Sequence, residues 1–395
     1  MHDAQGAKSA QENDVRRMLA KTFLELREGL LTGSTGAVPR IVVTGLGSEL
    51  GEQAVLDGAV AAAKAGGVQV LYLGTLHAPQ VLCVPVQSED EARDKMEAML
   101  RSGEADGAVT MHYPFPIGVA TVGRLRAPAT GREFYLATTT GTADTDRVAA
   151  MVKGAVYGVA VAKCCGREAP TVGIVNVDGA RATETVLKKL AAGGWDVQFG
   201  ASQRAEGGVV LRGNDVLCGA CDVVVCDSLT GNLLMKLLSA FTSGGSVETT
   251  GSGYGPGAGG QFDRVVGIVS RASGAAVIAG AVAYAAQAVR GKLSACVQTE
   301  LAAAERAGLA RLLAPKAALA GTATQPAGKA PEKEVVTSQL AGIEILDLEN
   351  AVQTLWAAGI YAESGMGCTG PVVRVSDAKL SAARALLVEK EYLGE

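Results

Sequence analysis

Short runs of β-branched residues alternate with Ala-rich segments of helical periodicity from residue 41 to about residue 310. The first run, Ile41–Thr44, is followed by a Gly-containing turn, a helical segment and a second run, Val68–Leu73. The same order of strand and helix recurs later, where the strand Asp222–Cys226 precedes a helix predicted from about Asn232 to Phe241. Strands that are apolar throughout indicate a parallel sheet covered by helices on both faces, so we predict an α/β core. Ligands of such sheets bind at the carboxyl ends of the strands.

Charge and hydropathy exclude several classes of protein. The 395 residues carry a net charge of −4, which excludes the basic surface that a nucleic-acid-binding protein needs. The longest uncharged run, residues 273–289, is mostly Ala and Gly and too short to span a bilayer. The N-terminus is polar and charged before any apolar stretch. We therefore expect a cytoplasmic protein with no signal peptide and no membrane association.

The eight cysteines do not form a disulfide framework or a zinc motif. Cys218 and Cys221 make a single CxxC, no second pair follows, and the chain has three histidines. Ordinary buried or surface thiols are the favoured interpretation, and metal or redox use of the pair is the alternative. We predict no metal and no cofactor.

The composition changes near residue 314, where a stretch rich in Ala, Pro, Gly, Thr and Lys shows no apolar periodicity. Such a stretch is typical of a semi-flexible linker, and an ordered surface loop is the alternative. Beyond it, we predict strands at Ile343–Leu346 and Val372–Val375 and two helices. The sequence therefore predicts a core, a linker and a small C-terminal module, over residues 1–313, 314–335 and 336–395.

One cysteine of the C-terminal module lies in the sequence Ser-Gly-Met-Gly-Cys-Thr-Gly-Pro, as Cys368. The surrounding glycines allow close approach of the backbone and leave the sulfur uncrowded. A thiol that accepts an acyl group needs this access, and backbone N–H groups that lower its pKa and hold a thioester oxyanion. The residue types leave two interpretations open, a nucleophilic thiol and a thiol packed in a tight turn.

A polar turn follows the strand Asp222–Cys226. Its unpaired amides and the positive end of the following helix favour a phosphate or an acyl phosphate, and a lysine in the first turns of that helix would add positive charge. The alternative is an ordinary turn capped by Asp227 or Thr230. The residues of this predicted phosphate turn are Asp227, Thr230, Gly231, Asn232 and Lys236.

A glycine-dense segment, residues 249–260, lies between the last two elements of the predicted core. We predict a loop that acts as a lid or as an anion cradle. It lacks the GxxxxGK[ST] spacing of a nucleotide-binding loop, so no nucleotide site is predicted.

The run from Cys221 to Asn232, with Lys236, resembles the phosphate acyltransferases of bacterial phospholipid synthesis. In that family a strand ending in Asp is followed by Thr-Gly-Asn and a helical lysine. The segments 249–260 and 270–273 of this chain also resemble that family. The resemblance covers roughly residues 40–295. It implies the three-layer α/β/α fold of phosphotransacylases and isopropylmalate dehydrogenases, the synthesis of acyl phosphates, and a phosphate-binding role for the predicted phosphate turn.

Those acyltransferases lack an extension with Gly-Met-Gly-Cys-Thr-Gly-Pro. Core and extension together resemble the alpha subunits of component C of the glycine, sarcosine and betaine reductase complex of amino-acid-fermenting anaerobes. The resemblance implies that Cys368 carries an acetyl group as a thioester and that phosphate releases it as acetyl phosphate. It also implies an oligomer with a ketosynthase-like beta subunit, and a selenoprotein component A that delivers a carboxymethyl selenoether.

Two other functions stay open at this point. A lipid-type phosphate acyltransferase acting on acyl carrier protein would work without Cys368 and without a partner. A non-catalytic scaffold would only present an inert fold to a ketosynthase-like beta subunit. A reactive Cys368 argues against the scaffold.

Overall fold

The computed structural model describes residues 23, 38–203, 207–314, 330–343, 347–367 and 370–393, with only the backbone of residues 366, 367 and 370. Among these residues, no helix combines the length and the hydropathy needed to cross a membrane. The predicted alternation of strands and helices is confirmed.

The first half of the core contains β1 (Arg40–Thr44), α1 (Glu52–Ala65), β2 (Gln69–Gly74), β3 (Leu82–Pro85), α2 (Glu89–Ser102), β4 (Gly107–Thr110), β5 (Val119–Arg126), β6 (Glu133–Thr142) and α3 (Arg147–Cys164). The sequence Ser88-Glu89-Asp90-Glu91 is typical of the start of a helix, and Ser88 is the N-cap residue of α2. The Ser88 hydroxyl accepts a hydrogen bond from the Glu91 amide at 3.1 Å, so Ser88 closes the first turn.

The second half contains β7 (Thr171–Val175), α4 (Ala180–Ala192), β8 (Gln198–Phe199), β9 (Val210–Leu211), α5 (Gly213–Cys218), β10 (Val223–Val225), α6 (Ser228–Ala240), β11 (Gly255–Gly259), β12 (Val266–Ile268), α7 (Ala275–Arg290), α8 (Leu293–Arg306) and α9 (Leu309–Leu313). A short 3-10 turn, Phe241–Ser243, follows α6.

In the described part of the core, all twelve strands belong to one sheet, and β11 and β5 reverse its direction. Strands β3, β2, β1, β4 and β12 are parallel; β11 is antiparallel to β12, β5 to β11, and β6 to β5. Strands β6, β10 and β7 are again parallel, with β8 and β9 beside β7. The parallel strands of the two halves therefore run in opposite directions. Their carboxyl ends lie at opposite edges of the sheet, a feature that the predicted single parallel sheet does not contain.

Alternate residues of the central strands bury their side chains on opposite faces. In β1, Ile41 and Val43 pack on one face with residues of α1, α3, α7 and α8, whereas Val42 packs on the other with Met96 of α2. In β6, Leu136 lies with Met235 of α6, on the face opposite to Tyr135. Helices thus cover both faces, as predicted, and the α/β fold class is confirmed.

The glycine-dense segment is not wholly a loop: its residues 255–259 form the buried central strand β11. Gly255 has φ +88°, and a Cβ atom there would lie 1.6 Å from the Val122 carbonyl oxygen. At Gly257 a Cβ would lie 2.4 Å from the Phe115 ring. The lack of side chains lets β5, β11 and an aromatic ring approach one another closely. The lid prediction is therefore wrong for these five residues.

The C-terminal module contains β13 (Ser338–Ala341), α10 (Leu348–Ala357), β14 (Ala362–Gly367), β15 (Gly370–Val375) and α11 (Leu380–Glu389). The strand order is β13-β15-β14, all antiparallel, and the two helices contribute to one small core with Leu355 and Val373. The predicted strand Val372–Val375 and both helices are confirmed. Residues 344–346 of the other predicted strand lie outside the described residues, and β13 precedes them.

Candidate functional site

Helix α6 begins at Ser228, earlier than the predicted start near Asn232, so most of the predicted phosphate turn is helical. Asp227 is its N-cap residue. The Asp227 Oδ1 atom accepts hydrogen bonds from the amides of Leu229 (3.1 Å) and Thr230 (3.0 Å), and Oδ2 accepts one from the Thr230 hydroxyl at 2.6 Å. The Gly231 amide donates to the Asp227 carbonyl oxygen. The amides predicted to be free are thus already paired at Thr230 and Gly231, and Asp227 caps an ordinary strand-to-helix turn.

The charge of Asp227 matters for any anion at this turn. Burial acts to raise the pKa of its carboxyl, but the hydrogen bonds from Thr230 and Leu229 and the nearby charge of Arg147 lower that pKa below its usual value. Asp227 is therefore ionised at neutral pH. A negative side chain already occupies the position at the helix N-terminus that phosphate was predicted to take.

Gly231 and Asn232 attach α6 to β6. A Cβ atom at Gly231 would lie 1.8 Å from the Thr138 carbonyl oxygen, so only glycine fits this approach. The Asn232 Nδ2 atom donates to the Thr139 carbonyl oxygen at 3.1 Å. Both residues thus have packing roles that a Thr-Gly-Asn motif does not reveal by itself.

Lys236 lies apart from the other residues of the predicted phosphate turn. It follows Asp227 by nine positions, which corresponds to about 13 Å along a helix axis. Its Nζ atom lies over the Tyr254 ring, 5.6 Å from the ring centroid. The structure therefore places the Lys236 charge beside the segment before β11 rather than at the N-terminus of α6.

Loss of the Asp227 cap should destabilise the core in a pH-dependent way. We expect Asp227→Ala to lower the free energy of unfolding at pH 7 by about 1 kcal/mol. Because folding lowers the pKa of Asp227, its carboxylate stabilises the protein above the ordinary aspartate pKa of about 3.9, and this contribution is lost as the pH falls through the lower folded value. Urea unfolding from pH 7 to pH 3 measures it. A difference between variant and parent that stays constant over this range would contradict the assignment.

A buried hydroxyl–carboxylate cluster lies at the opposite edge, near the carboxyl end of β12. The Glu248 carboxylate accepts hydrogen bonds from the Tyr254 hydroxyl at 2.9 Å and from the Ser273 hydroxyl at 2.7 Å, and all three residues are buried. Burial and the charge of Glu248 raise the pKa of Tyr254 well above its usual value, so its hydroxyl stays protonated and donates. The cluster joins the segment before β11 to the N-terminus of α7.

Arg271, which follows β12, connects three loops at the same edge of the sheet as the buried cluster. Its guanidinium pairs with Glu89 at 2.8 Å and donates to the Gly47 carbonyl oxygen, and its own carbonyl accepts from the Glu49 amide at 2.8 Å. Arg271 thus ties the turn after β1 and the start of α2 to the turn after β12.

A groove of about 380 Å³ opens beside the buried cluster of Glu248, Tyr254 and Ser273. Arg124 and Arg126 are two residues apart on β5 and so lie on one face of the strand. The Arg124 guanidinium donates to the Ser252 hydroxyl at 3.2 Å and to Gln287 Oε1 at 2.8 Å, and Arg126 pairs with Glu133 at 3.1 Å. The groove is lined by Arg124, Leu125, Arg126, Glu133, Thr249, Thr250, Gly251, Ser252, Ala276 and Gly280.

Two guanidinium groups and several hydroxyls make this groove suited to an anion. The groove was not predicted from the sequence, although two arginines two residues apart in a mostly apolar segment were a usable signal. Glu133 borders the groove, whereas Thr138, five residues later on β6, contacts Gly231. Five strand residues span about 17 Å, so the groove and the predicted phosphate turn are separate sites.

The predicted acyl-accepting residue, Cys368, lies outside the described residues, as does Thr369. The neighbouring strands are described: β14 ends at Gly367, which pairs with Gly370 at the start of β15. The residues on both sides of Cys368 and Thr369 therefore belong to one antiparallel strand pair. No group of three or more His, Cys, Asp or Glu side chains in the described ranges is arranged to hold a metal ion.

The family model described as "Fatty acid synthesis protein" matches residues 39–374. The glycine/sarcosine/betaine reductase complex component C subunit alpha of Peptoclostridium acidaminophilum is 48% identical over 377 residues, which cover 95% of this chain and 98% of that protein. A phosphate acyltransferase of Thermus thermophilus is 28% identical over 237 residues, or 50% of this chain and 70% of the relative.

Among solved structures, a branched-chain phosphotransacylase from Enterococcus faecalis V583 aligns with a TM-score of 0.45 and 18% identity, over 63% of this chain and 98% of that one. The family model and the 48% identical relative both extend through the core into the C-terminal module. The matches therefore include the sequence around residue 368.

Proposed function

Because the chain belongs to the Fatty acid synthesis protein family and to the component C alpha subunits that its 48% identical relative represents, we propose that it passes an acetyl group through a thioester on Cys368 to inorganic phosphate. The observation that carries this proposal is the extent of that match, 95% of the chain, core and module together. The phosphate acyltransferase relative covers only half of the chain.

The chemical step is phosphorolysis of a thioester. A phosphate oxygen attacks the acetyl carbonyl carbon, the bond from carbon to the Cys368 sulfur breaks, and the thiolate leaves. The products are acetyl phosphate and a free thiolate that takes up a proton. A thioester and an acyl phosphate are similar in energy, so the protein needs only to bring the two reactants together and to screen their charge.

The partners are part of the same proposal. A selenoprotein component A would deliver the carboxymethyl selenoether from which component C forms the acetyl thioester, and a ketosynthase-like beta subunit would complete component C. An oligomeric state and a cytoplasmic location belong to the proposal as well. The name of the 48% identical relative, a component C alpha subunit of a reductase complex, supports partners within such a complex. The selenoprotein, the ketosynthase-like subunit and the cytoplasmic location are what the resemblance of the sequence implies.

Two places on the core are candidate binding sites for phosphate. The predicted phosphate turn stays a proposal, with Asp227, Thr230, Gly231, Asn232 and Lys236 as its residues. The groove beside β5 is the second candidate. The groove has two guanidinium groups against one carboxylate, that of Glu133, while the ionised Asp227 carboxylate works against an anion at the turn.

We expect Arg126→Gln to raise the phosphate concentration needed for half-maximal acetyl phosphate release by roughly tenfold or more, the effect of losing one charge-assisted hydrogen bond. Arg126 is suited to this test because its side chain is 61% exposed and its loss should leave the fold intact. Arg132→Gln is the matched control. Arg132 lies near the same edge but pairs with Asp222 and does not line the groove.

The turn predicts a different result in the same assay. There, Asp227→Asn should strengthen phosphate binding by removing the competing charge. A shift in Asp227→Asn with no shift in Arg126→Gln would assign phosphate to the turn and reject the groove.

A further inference from the structure

The described residues leave an apolar stripe on α6 largely exposed. Its four members recur at a spacing of four along the chain and therefore lie on one side of the helix. Their exposed fractions are 80%, 57%, 58% and 50%, so at least half of each residue faces solvent. The α6 stripe extends over about 18 Å and consists of Leu229, Leu233, Leu237 and Phe241, the residue that follows the helix. An exposed apolar patch of this extent marks an interaction site.

The opposite side of α6 already contributes to the core. Met235 and Leu238 are buried there with residues of β5, β6 and β10. Lys236 is the one charged residue of α6, and its ammonium group lies over the Tyr254 ring. A helix with one buried face normally presents polar side chains to solvent, whereas a helix that is apolar on two sides is covered on both. The α6 stripe therefore needs a partner that the described residues do not supply.

The N-terminal segment, residues 15–30, has a complementary apolar surface. Its apolar residues recur at spacings of three and four, which predicts an amphipathic helix. On such a helix they occupy an arc of about 140° that contains no charged residue. The apolar residues of this arc are Val15, Met18, Leu19, Phe23, Leu26 and Leu30. Phe23 is helical in the structure and 69% exposed, so the described residues leave its side chain uncovered as well.

The topology brings the chain from the N-terminal segment to the α6 stripe. Strand β1 runs opposite to β10, so the start of β1 lies at the edge of the sheet where α6 begins. Helix α6 packs on β5 and β6, and β5 is four strands from β1, or about 19 Å. The eight residues that follow Leu30, up to Val38, span at most about 27 Å. The N-terminal segment can therefore reach the α6 stripe of its own chain.

We propose that residues 15–30 form a helix that docks antiparallel on the α6 stripe of the same chain. Because the connection arrives at the N-terminus of α6, Leu30 lies near Leu229 and Val15 near Phe241 in this arrangement. The apolar arc extends over about 23 Å, so one helix covers all four side chains of the stripe. Apolar side chains spaced by four on both helices interdigitate as ridges and grooves. The inference concerns a contact within the chain and does not rest on the proposed function.

Hydrogen–deuterium exchange of the full-length chain tests the contact from the side of α6. The amides of residues 15–30 should exchange at least about tenfold faster in Leu233→Asp than in the parent, because a carboxylate in the stripe releases the helix. Leu82→Asp is the matched control, since Leu82 is 52% exposed on the edge strand β3 and should leave this exchange unchanged. Slow exchange of β10 shows that each variant is folded. Equal exchange of the segment in Leu233→Asp and the parent would overturn the proposal.

Proteolysis tests the contact from the side of the N-terminal segment. Phe23→Asp places a carboxylate in the apolar arc, so trypsin should cut after Arg17 at least about tenfold faster than in the parent. Leu24→Asp is the matched control, because position 24 lies about 170° from the middle of the arc, among the charged residues. It should leave the rate unchanged. Equal rates for the two variants would reject docking through the apolar arc.

Cross-linking identifies the occupant of the stripe. In a mixture of isotope-labelled and unlabelled chains, disuccinimidyl suberate should join Lys21 of the segment to the exposed Lys236 beside the stripe, in peptide pairs of a single isotope composition. No step of this experiment depends on acetyl phosphate, so a failure of the proposed function leaves its result unaffected. Lys21–Lys236 pairs of mixed composition would assign the stripe to the segment of a second copy, and mixed Lys236–Lys236 pairs to a second α6. Either result, or the absence of the Lys21–Lys236 pair, would reject docking within one chain.

Discussion

Replacement of Cys368 by alanine is expected to abolish acetyl phosphate formation while the chain stays folded. The thiol is the proposed point of attachment of the acetyl group, and no other group can take over a covalent intermediate at that position. We expect a loss of roughly 1,000-fold or more in the reconstituted complex, as for the removal of other enzymatic nucleophiles. Isotope-labelled acetyl phosphate should also label Cys368 in the parent chain, by reversal of the same step.

Cys218→Ala serves as the control for this variant, because Cys218 is a thiol of the core with no proposed role in acyl transfer. Full product formation by Cys368→Ala would reject the thioester role. If that variant also formed acyl phosphate from acyl carrier protein, the lipid-type acyltransferase would replace it as the proposed function. Failure of Cys368 to become labelled, with full activity of the complex, would favour the scaffold.

Gly255→Ala should be among the most destabilising single substitutions in the core. Its backbone has φ +88°, which costs a residue with a Cβ about 1–2 kcal/mol, and the new methyl group would meet the Val122 carbonyl oxygen. Overpacking of a buried site adds about 1–3 kcal/mol. We expect a loss of about 2–5 kcal/mol in the free energy of unfolding, measured by urea denaturation followed by circular dichroism.

Gly131→Ala separates the two contributions. Gly131 has φ +71°, but a Cβ atom there would have no neighbour within 4 Å, so only the backbone cost of about 1–2 kcal/mol remains. A loss at Gly255 no larger than that at Gly131 would mean that β5 and β11 move apart freely, which contradicts the packing described for β11.

The parts of the fold that rest on local patterns could be predicted from the sequence. Apolar runs such as Ile41–Thr44 and the N-cap residue Ser88 identify strands and helix starts through the residues themselves. Whether a strand runs parallel or antiparallel to its neighbours leaves no such pattern in the sequence. The reversal between β12 and β6 depends on β5 and β11, and the five residues of β11, Gly-Pro-Gly-Ala-Gly, lack the β-branched side chains by which a strand is recognised.

Local sequence patterns are also insufficient to predict the candidate site. An aspartate before Thr-Gly-Asn is equally compatible with a helix cap and with an anion site, because both use the amides of the first turn. In the structure the Asp227 carboxylate accepts hydrogen bonds from two of those amides, which establishes the cap, and the phosphate role of the turn stays a proposal. The groove depends on tertiary contacts such as that between Arg124 and Gln287, 163 residues apart, which no local pattern contains.

The parallel strands of the two halves run in opposite directions, and this also determines how far a reacting group would have to travel between the two edges of the sheet. A molecule held at the N-terminus of α6 and one held beside Arg126 are separated by about the length of a five-residue strand, and buried side chains fill both faces of the sheet between them. Chemistry shared between the two edges would require a carrier that moves around the outside of the protein. Chemistry confined to one edge would need only a docking event. The location of phosphate therefore decides at which edge of the sheet the cysteine of the C-terminal module would have to reach the core.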